Sequence, residues 1–468
     1  MNKAEHNPIL KAAKPAKFKT EVGLAVVSPN VAGIDIGSRE MYVCGPVNEQ
    51  GEREVRTFDT TTVQIEACAK WLKQQKVESV AMESTGVYWI PVLEILEDQG
   101  LKTLLVDTRP MSRVPGRKTD TIDCKWIQTL HSVGLLQGCF RPAEEISQLR
   151  NLTRQKAVLV SEQADWTRRL HKSLDQMNVR VHHAVSDTQG TTGMAIIRAI
   201  VKGERDPWKL ASLRDARCQK SEAQIAALLT GNWRQDHLFN LEQSLKMYDT
   251  LADQIADYEE EIQKHMARLT PPENQNQQAP PLSNREKVKA IKKRNQEDRR
   301  QALFRMVGVD LTTIDGIGVE TAEAIVSEYG IDLSQFPTEG QFVKHLKLAP
   351  RQSVTGGKQI KKGRGKAKTT RSGAAFRNAA VVLGRSPSAL GAYYRRISRG
   401  KGATVAVFAT ARKLATLTYR MLRWGQDYVD IGQEAYEQRF QESKLRALAS
   451  TAAQFGLDLI KKETPVNA

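Results

Sequence analysis

Asp35 closes the apolar run Val31-Ala-Gly-Ile-Asp-Ile-Gly-Ser38, and Glu83 closes Val77-Glu-Ser-Val-Ala-Met-Glu-Ser84. Asp120 and Asp123 lie three apart in Lys118-Thr-Asp-Thr-Ile-Asp-Cys-Lys-Trp126. A carboxylate at the end of a buried strand is costly unless something cationic holds it. Residues three apart on a helix share a face. The four acids can therefore reach one cluster of hard, oxygen-ligated divalent cations, Mg²⁺ or Mn²⁺. Two such ions ~4 Å apart can activate a nucleophile and stabilise a leaving oxygen at a phosphodiester. On the residues alone a plainer reading stays open: Asp35 as a solvated strand end, Asp120 as a helix cap and Asp123 as a first-turn acid matched to the helix dipole.

The elements that must position these acids are legible between them. Met41 to Val47 and Arg53 to Phe58 read as second and third strands of an antiparallel meander, with Gly51 as a turn. Ile65, Cys68, Trp71 and Leu72 give Thr62 to Gln75 a helical spacing. Val87 to Gln99 is an amphipathic helix stopped by Gly100, Leu101 to Asp107 is a last apolar strand, and Lys118 onward opens another helix. That order predicts a mixed sheet covered by helices over 23–143.

Charge narrows the partners. The 468 residues carry 70 Lys+Arg against 53 Asp+Glu, a net +17, which favours a polyanion through phosphate neutralisation and counterion release. Double-stranded DNA or another nucleic acid fits this better than an anionic membrane, because no basic amphipathic anchor helix is evident. No apolar run reaches the ~18 residues of a membrane span. Residues 1–22 read as a basic flexible arm with no apolar signal core. Five scattered cysteines without CxxC spacing point to a reduced, cytoplasmic protein with no zinc knuckle.

Over 144–270 the sequence is long, charged and helical. Tyr248, Leu251, Ile255, Tyr258, Ile262, Met266 and Leu269 step close to a heptad seam, which a two-helix hairpin or self-association would serve equally. Residues 271–305 read as a polar, Pro-rich linker, its Arg285–Arg300 part as a solvated helix. Leu311 to Val326 has the look of a helix-hairpin-helix within a mainly α domain over 306–430. The Gly316-x-Gly318 turn could offer backbone N–H groups to a phosphate. From Arg351 to Arg377 there are nine Lys/Arg and no acid, with hydroxyls placed just before Gly356-Gly357-Lys358. Lys358, Lys361, Lys362, Arg364, Lys366, Lys368 and Arg371 are candidate phosphate contacts. Tyr393, Tyr394, Arg395 and Arg396 mark a basic-aromatic surface, and 431–468 is a helical tail.

Strand-Asp, strand-Glu and helix Asp-x-x-Asp, in the phrases GIDIGS, AMESTG and GRKTDTIDCKWI, resemble the DEDD insertion-sequence transposases, bridge-RNA-guided DNA recombinases. The resemblance implies an RNase H/RuvC-like α/β domain with Asp35, Glu83, Asp120 and Asp123 as Mg²⁺ (or Mn²⁺) ligands. It implies dimerisation through a coiled-coil middle, a homodimer or homotetramer overall, and a structured noncoding guide RNA. A bacterial, nucleoid-associated enzyme follows from it. It also implies a serine nucleophile in a Pro-x4-Ser-Gly pattern. Counted from Pro350 that position is Thr355, with the nearest serine at Ser353. A threonine hydroxyl can attack phosphorus, although its β-branch makes it stiffer. The expected activity is Mg²⁺-dependent strand cleavage and rejoining through a covalent hydroxyl–phosphate intermediate. A water-using, metal-dependent Holliday-junction-type endonuclease and a non-catalytic DNA-binding protein are the competing readings.

Overall fold

Side-chain alternation along the strands decides which faces the first unit covers. The computed structural model describes residues 25–48, 50–84, 86–107, 120–350, 354–355, 358–359, 370–428 and 430–460, with backbone alone at 120–122, 354–355 and 358–359. The expected basic arm at 1–22 lies outside the described residues. The chain divides between Arg141 and Pro142 into two units.

The first unit runs β1 (Val31–Ile36), β2 (Glu40–Val47), β3 (Arg53–Asp59), α1 (Thr62–Gln74), β4 (Ser79–Glu83), α2 (Trp89–Asp98), β5 (Lys102–Val106) and α3 (Asp120–Ser132). Sheet order is β3-β2-β1-β4-β5; β1, β2 and β3 pair antiparallel, whereas β4 is parallel to both β1 and β5. Ala32, Ile34 and Ile36 of β1 and Val80 and Met82 of β4 enter one apolar core with Ile65 and Leu72 of α1 and Val92, Leu93 and Leu96 of α2. With a period of two, Gly33 and Asp35, and likewise Ala81 and Glu83, must point to the opposite face. That face belongs to α3. The mixed sheet layered between helices fits an RNase H-like domain.

The second unit is helical. It comprises α4 (Glu144–Gln176), α5 (Val181–Ala184), α6 (Thr191–Val201), α7 (Pro207–Ser212), α8 (Glu222–Leu229), α9 (Gln235–Leu269), α10 (Arg285–Lys293), α11 (Glu297–Val307), α12 (Val319–Tyr329) and α13 (Glu339–His345). A small hairpin of β6 (Val354–Thr355) and β7 (Lys358–Gln359) follows, then α14 (Arg371–Val382), α15 (Ala389–Lys401), α16 (Ala403–Trp424) and α17 (Gly432–Gln454). The two long helices α4 and α9 pack antiparallel. His265 Nε2 lies 2.8 Å from the carbonyl oxygen of Glu145, and the side chain of Gln163 donates to the carbonyl of Tyr248 at 3.4 Å. Leu251, Ile262 and Met266 of the heptad-like seam are buried inside this single chain, while Ile255 and Tyr258 are half-buried. Leu170, Leu174, Leu238, Leu241 and Leu245, at the loop end of the pair, join a core with Ile196, Ile200, Ile225 and Leu229 of the short helices.

Residues 285–300, read as one solvated helix, fold as α10 and the start of α11, exposed along most of their length but anchored at a few buried positions. Ile291 and Arg300 are buried. Arg300 donates to Asp310 Oδ2 at 2.6 and 3.0 Å, and Lys287 Nζ donates to the carbonyls of Thr312 and Ile314 at 2.6 and 2.8 Å. The cations lie under the chain that leads into α12, satisfying groups that would otherwise be orphaned there.

One carboxylate ties this region to the helical pair. Glu323 of α12 is only 4% exposed; it accepts from Lys156 of α4 and from Arg299 of α11 at 2.7 and 3.0 Å. Arg299 also reaches Glu259 of α9 at 3.1 Å. Removing one member of a buried pair leaves the other charge uncompensated, which costs about 3–5 kcal/mol. Glu323→Ala is expected to lower the unfolding free energy of the full chain, read from its urea denaturation curve, by that much, with a lower midpoint. Lys264→Ala, which breaks a solvent-exposed pair with Glu260, is expected to leave the midpoint in place.

Candidate active site and nucleic-acid interface

Gly33 sets the geometry of the carboxylates. A Cβ built on it would meet the backbone of α3 at 2.4 Å (Gln128 N) and 2.5 Å (Cys124 O). Only a hydrogen fits there, so α3 lies directly on β1. The helix runs antiparallel to β1 and β4. At its C-terminal end, Ser132 O accepts from Val27 N and Ser28 N, His131 Nε2 lies 3.0 Å from Ser79 Oγ, and the side chain of Gln128 donates to Val31 O at 3.3 Å. All of these partners precede or begin the two strands. The first turn of α3 therefore lies toward their carboxyl ends.

The same ends carry the strand acids. The parallel register pairs Ile34 with Met82, which makes Asp35 and Glu83 the next residues along on neighbouring strands. From Gly33 to Asp35 the strand rises ~7 Å. From Cys124 back to Asp120 the helix rises ~6 Å. The Asp120 backbone thus arrives level with the strand acids, one turn before its contact with Gly33. Asp35, Glu83 and Asp123 are all half-buried; the Asp120 side chain lies outside the described residues. A cavity of about 390 Å³, lined by Asp35 through Glu40 and by Tyr42, opens at the end of β1.

Burial pushes the thiol of Cys44 up to about 11 and that of Cys124 to about 12, and the carboxylate of Asp35 adds to the latter. Both therefore stay protonated and unreactive. The described acids Asp35, Glu83 and Asp123 offer oxygen donors with partial access to water, a set that suits a hard divalent cation. Among the described residues, however, no three His, Cys, Asp or Glu side chains are drawn together as a metal cluster. Sequence reasoning named the acids and missed Gly33, although a glycine inside a strand pattern is itself a signal of close backbone approach.

In the second unit, Thr355 pairs directly with Lys358 across the two-residue Gly356-Gly357 connection of the β6–β7 hairpin. Ser353, Lys361, Lys362, Arg364, Lys366 and Lys368 lie outside the described residues. Arg371 opens α14 and is exposed. Thr370, just before it, caps that helix by accepting from Gly373 N at 3.0 Å. Gly316 adopts a left-handed φ of +86° in a turn closed by Ile317 N donating to Ile314 O. A Cβ there would meet Leu383 at 2.8 Å, so Gly316 is used for packing against α14 and the turn that follows it. Gly318, the N-cap of α12, faces open space instead.

No helix among the described residues is long and apolar enough to cross a membrane. Two family models match the chain: one described as a transposase of the DEDD, IS110 type over residues 32–179, and one described as the transposase IS116/IS110/IS902 family over residues 310–395. No curated protein matches it. The first match spans the strands and helix that carry all four acids, and the second reaches from the turn before α12 through the β6–β7 hairpin into α15. The chain belongs to the IS110 family of DEDD transposases and is a DNA transposase/recombinase.

Proposed function

We propose that this transposase moves its element by metal-assisted strand transfer through a covalent protein–DNA intermediate. The observation that carries the reading is the seating of α3 on Gly33, which brings the first turn of that helix, Asp120 to Asp123, toward the carboxyl ends of β1 and β4. Asp35, Glu83, Asp120 and Asp123 would hold Mg²⁺ or Mn²⁺. When bound, such ions polarise the scissile phosphate and stabilise the leaving oxygen. The hydroxyl of Thr355, or of Ser353 in its place, attacks phosphorus; the new Oγ–P bond forms as the bond to a deoxyribose oxygen breaks. That oxygen leaves as a hydroxyl and later reverses the step to rejoin a strand. Lys358 and the cations from Lys361 to Arg371 hold the backbone of double-stranded donor and target DNA. The N-terminal turn of α12, at Gly318, offers N–H groups to a further phosphate in helix-hairpin-helix manner.

Sequence choice would come from a structured noncoding RNA, and the working unit would be a homodimer or homotetramer. Ile255 and Tyr258 of the heptad-like seam stay half-buried in the single chain and would be further covered by such association. A second reading, a metal-dependent nuclease of branched DNA that uses water, is favoured by one fact: threonine stands where the family pattern has serine. Trapping separates the two. The protein is incubated with labelled DNA spanning the element junction and with RNA from cells carrying the element, then denatured. Label retained on the protein, and lost when EDTA is present from the start, is the expected result. Free cleaved DNA without retained label would establish the water-using nuclease instead.

A further inference from the structure

We infer that a groove along α16 receives an unstacked nucleotide of a single DNA strand beside the nucleophile hairpin. The inference rests on the strand-transfer reading and names the part of the substrate that this domain grips. α16 has two faces. Ala406, Thr410, Ala411, Leu414, Ala415 and Thr418 are buried in the domain, whereas Val405, Phe408, Arg412 and Lys413 form a second stripe that remains accessible. That stripe lines a cavity of about 660 Å³, closed on its other sides by Tyr393 and by Lys347 to Pro350. The volume lies within the ~300–1,000 Å³ typical of small-ligand sites. Pro350 is the last residue described before the hairpin, so the cavity borders the chain that carries Ser353 and Thr355.

Its chemistry is that of a nucleotide seat. The wall holds four cations, Lys347, Arg412, Lys413 and Arg420, against one carboxylate, Glu339. Glu339 is engaged by Arg420 at 2.7 and 3.2 Å, which leaves a surplus of positive charge. The remainder is mainly apolar, with the aromatic rings of Phe408 and Tyr393 exposed to it. Arg377 lies over the Phe408 ring at 5.4 Å, and its buried Nε has no hydrogen-bond partner among the described residues. An apolar partner would leave the cations unmatched. The adjoining stretch 351–377, with nine Lys/Arg and no acid, is of like charge and is a poor occupant. A phosphate with a flat apolar base satisfies both parts, since every base has a face to stack and every link a charge. A duplex hides those faces, and a concave pocket cannot reach into its grooves.

The test titrates the full-length protein with fluorescein-labelled hexathymidylate and with a short labelled duplex, following anisotropy across a salt series. Phe408→Ala is expected to weaken hexathymidylate on the order of tenfold, the effect of losing one stacking ring, and to leave duplex binding unchanged. Phe408→Leu, which preserves apolar volume, is expected to weaken it likewise and guards against a folding defect. The pair Arg412→Gln and Lys413→Gln should reduce the slope of log K on log salt for hexathymidylate by about 1.4, or ~0.7 for each phosphate contact. Equal weakening of both DNAs, no weakening of either, or tighter binding of hexauridylate than of hexathymidylate would overturn the proposal. Adduct trapping with the unaltered protein is a separate result, so failure of the strand-transfer reading and failure of this pocket are told apart.

Discussion

A Ser353→Ala/Thr355→Ala double variant is expected to abolish both strand transfer and the trapped protein–DNA adduct, while DNA affinity stays where it was. In the proposed mechanism, attack on phosphorus comes from a hydroxyl of this stretch, and the double variant removes the two that precede Gly356-Gly357 in sequence. The single variants separate them. Thr355 is paired with Lys358 between β6 and β7, whereas Ser353 precedes that pairing. Thr355→Ala should therefore lose about 10³-fold or more in rate, as loss of a nucleophile does, and Ser353→Ala should lose little. Thr355→Ser tests the cost of the β-branch. Serine has more χ1 freedom and less bulk at the attacking atom, so this change should retain or raise activity. If Ser353→Ala were the inactive single variant, the nucleophile would be Ser353 and the hairpin would only position it. Adduct formation by the double variant would exclude both hydroxyls.

The first unit was largely readable before its structure. Each of its strands ends at or near a turn signal, and the switch from a meander to alternating helices fixes a mixed sheet. The match is close: β1, β2, β3, α1, β4, α2, β5 and α3 appear in the predicted order, with Asp35 and Glu83 at or beside strand ends. Face assignment was also implicit, because Ile34 and Met82 are apolar whereas Asp35 and Glu83 are not. How tightly the α3 layer would sit was not legible as a distance. It depends on the absent side chain at Gly33; a glycine inside a strand signals a close approach, but neither which element approaches nor how near.

The second unit resisted the same reading for two physical reasons. A seam such as Leu251, Ile262 and Met266 specifies that a helix needs an apolar partner, and says nothing of which chain supplies it. In the structure α4 supplies much of it. Charged sequence is ambiguous in a similar way. Arg299, Arg300 and Lys287 look like solvated cations in a linker until Glu323, Asp310 and the carbonyls of Thr312 and Ile314 come beside them. Those partners lie on different elements, so no local spacing could reveal them. The α16 stripe was hidden because its Phe and Arg residues share the helix with a full apolar face, and the apolar content alone predicts burial.

Asp35→Asn and Gly33→Ala test the carboxylate site from opposite directions. Asp35→Asn keeps the shape and removes the charge. It is expected to reduce adduct formation by at least about 10³-fold, matching the several kcal/mol of charge stabilisation that a bound divalent ion gives to a phosphoryl transition state. The thermal midpoint should not fall, because the half-buried Asp35 is not part of the apolar core. Gly33→Ala keeps every acid and moves them. The added carbon would sit 2.4 Å from Gln128 N and 2.5 Å from Cys124 O, and backbone atoms cannot swing aside as a side chain can. Either α3 lifts by about an ångström or the strand bends, at a cost of about 1–3 kcal/mol for overpacking. Misplacement on that scale is worth about 10²-fold in rate. The expected signature is thus a lower melting temperature together with weak adduct formation at unchanged donor chemistry. A Gly33→Ala protein with full activity and an unshifted melt would mean that α3 does not need this contact. The levelling of Asp120 and Asp123 with Asp35 would then lose its basis.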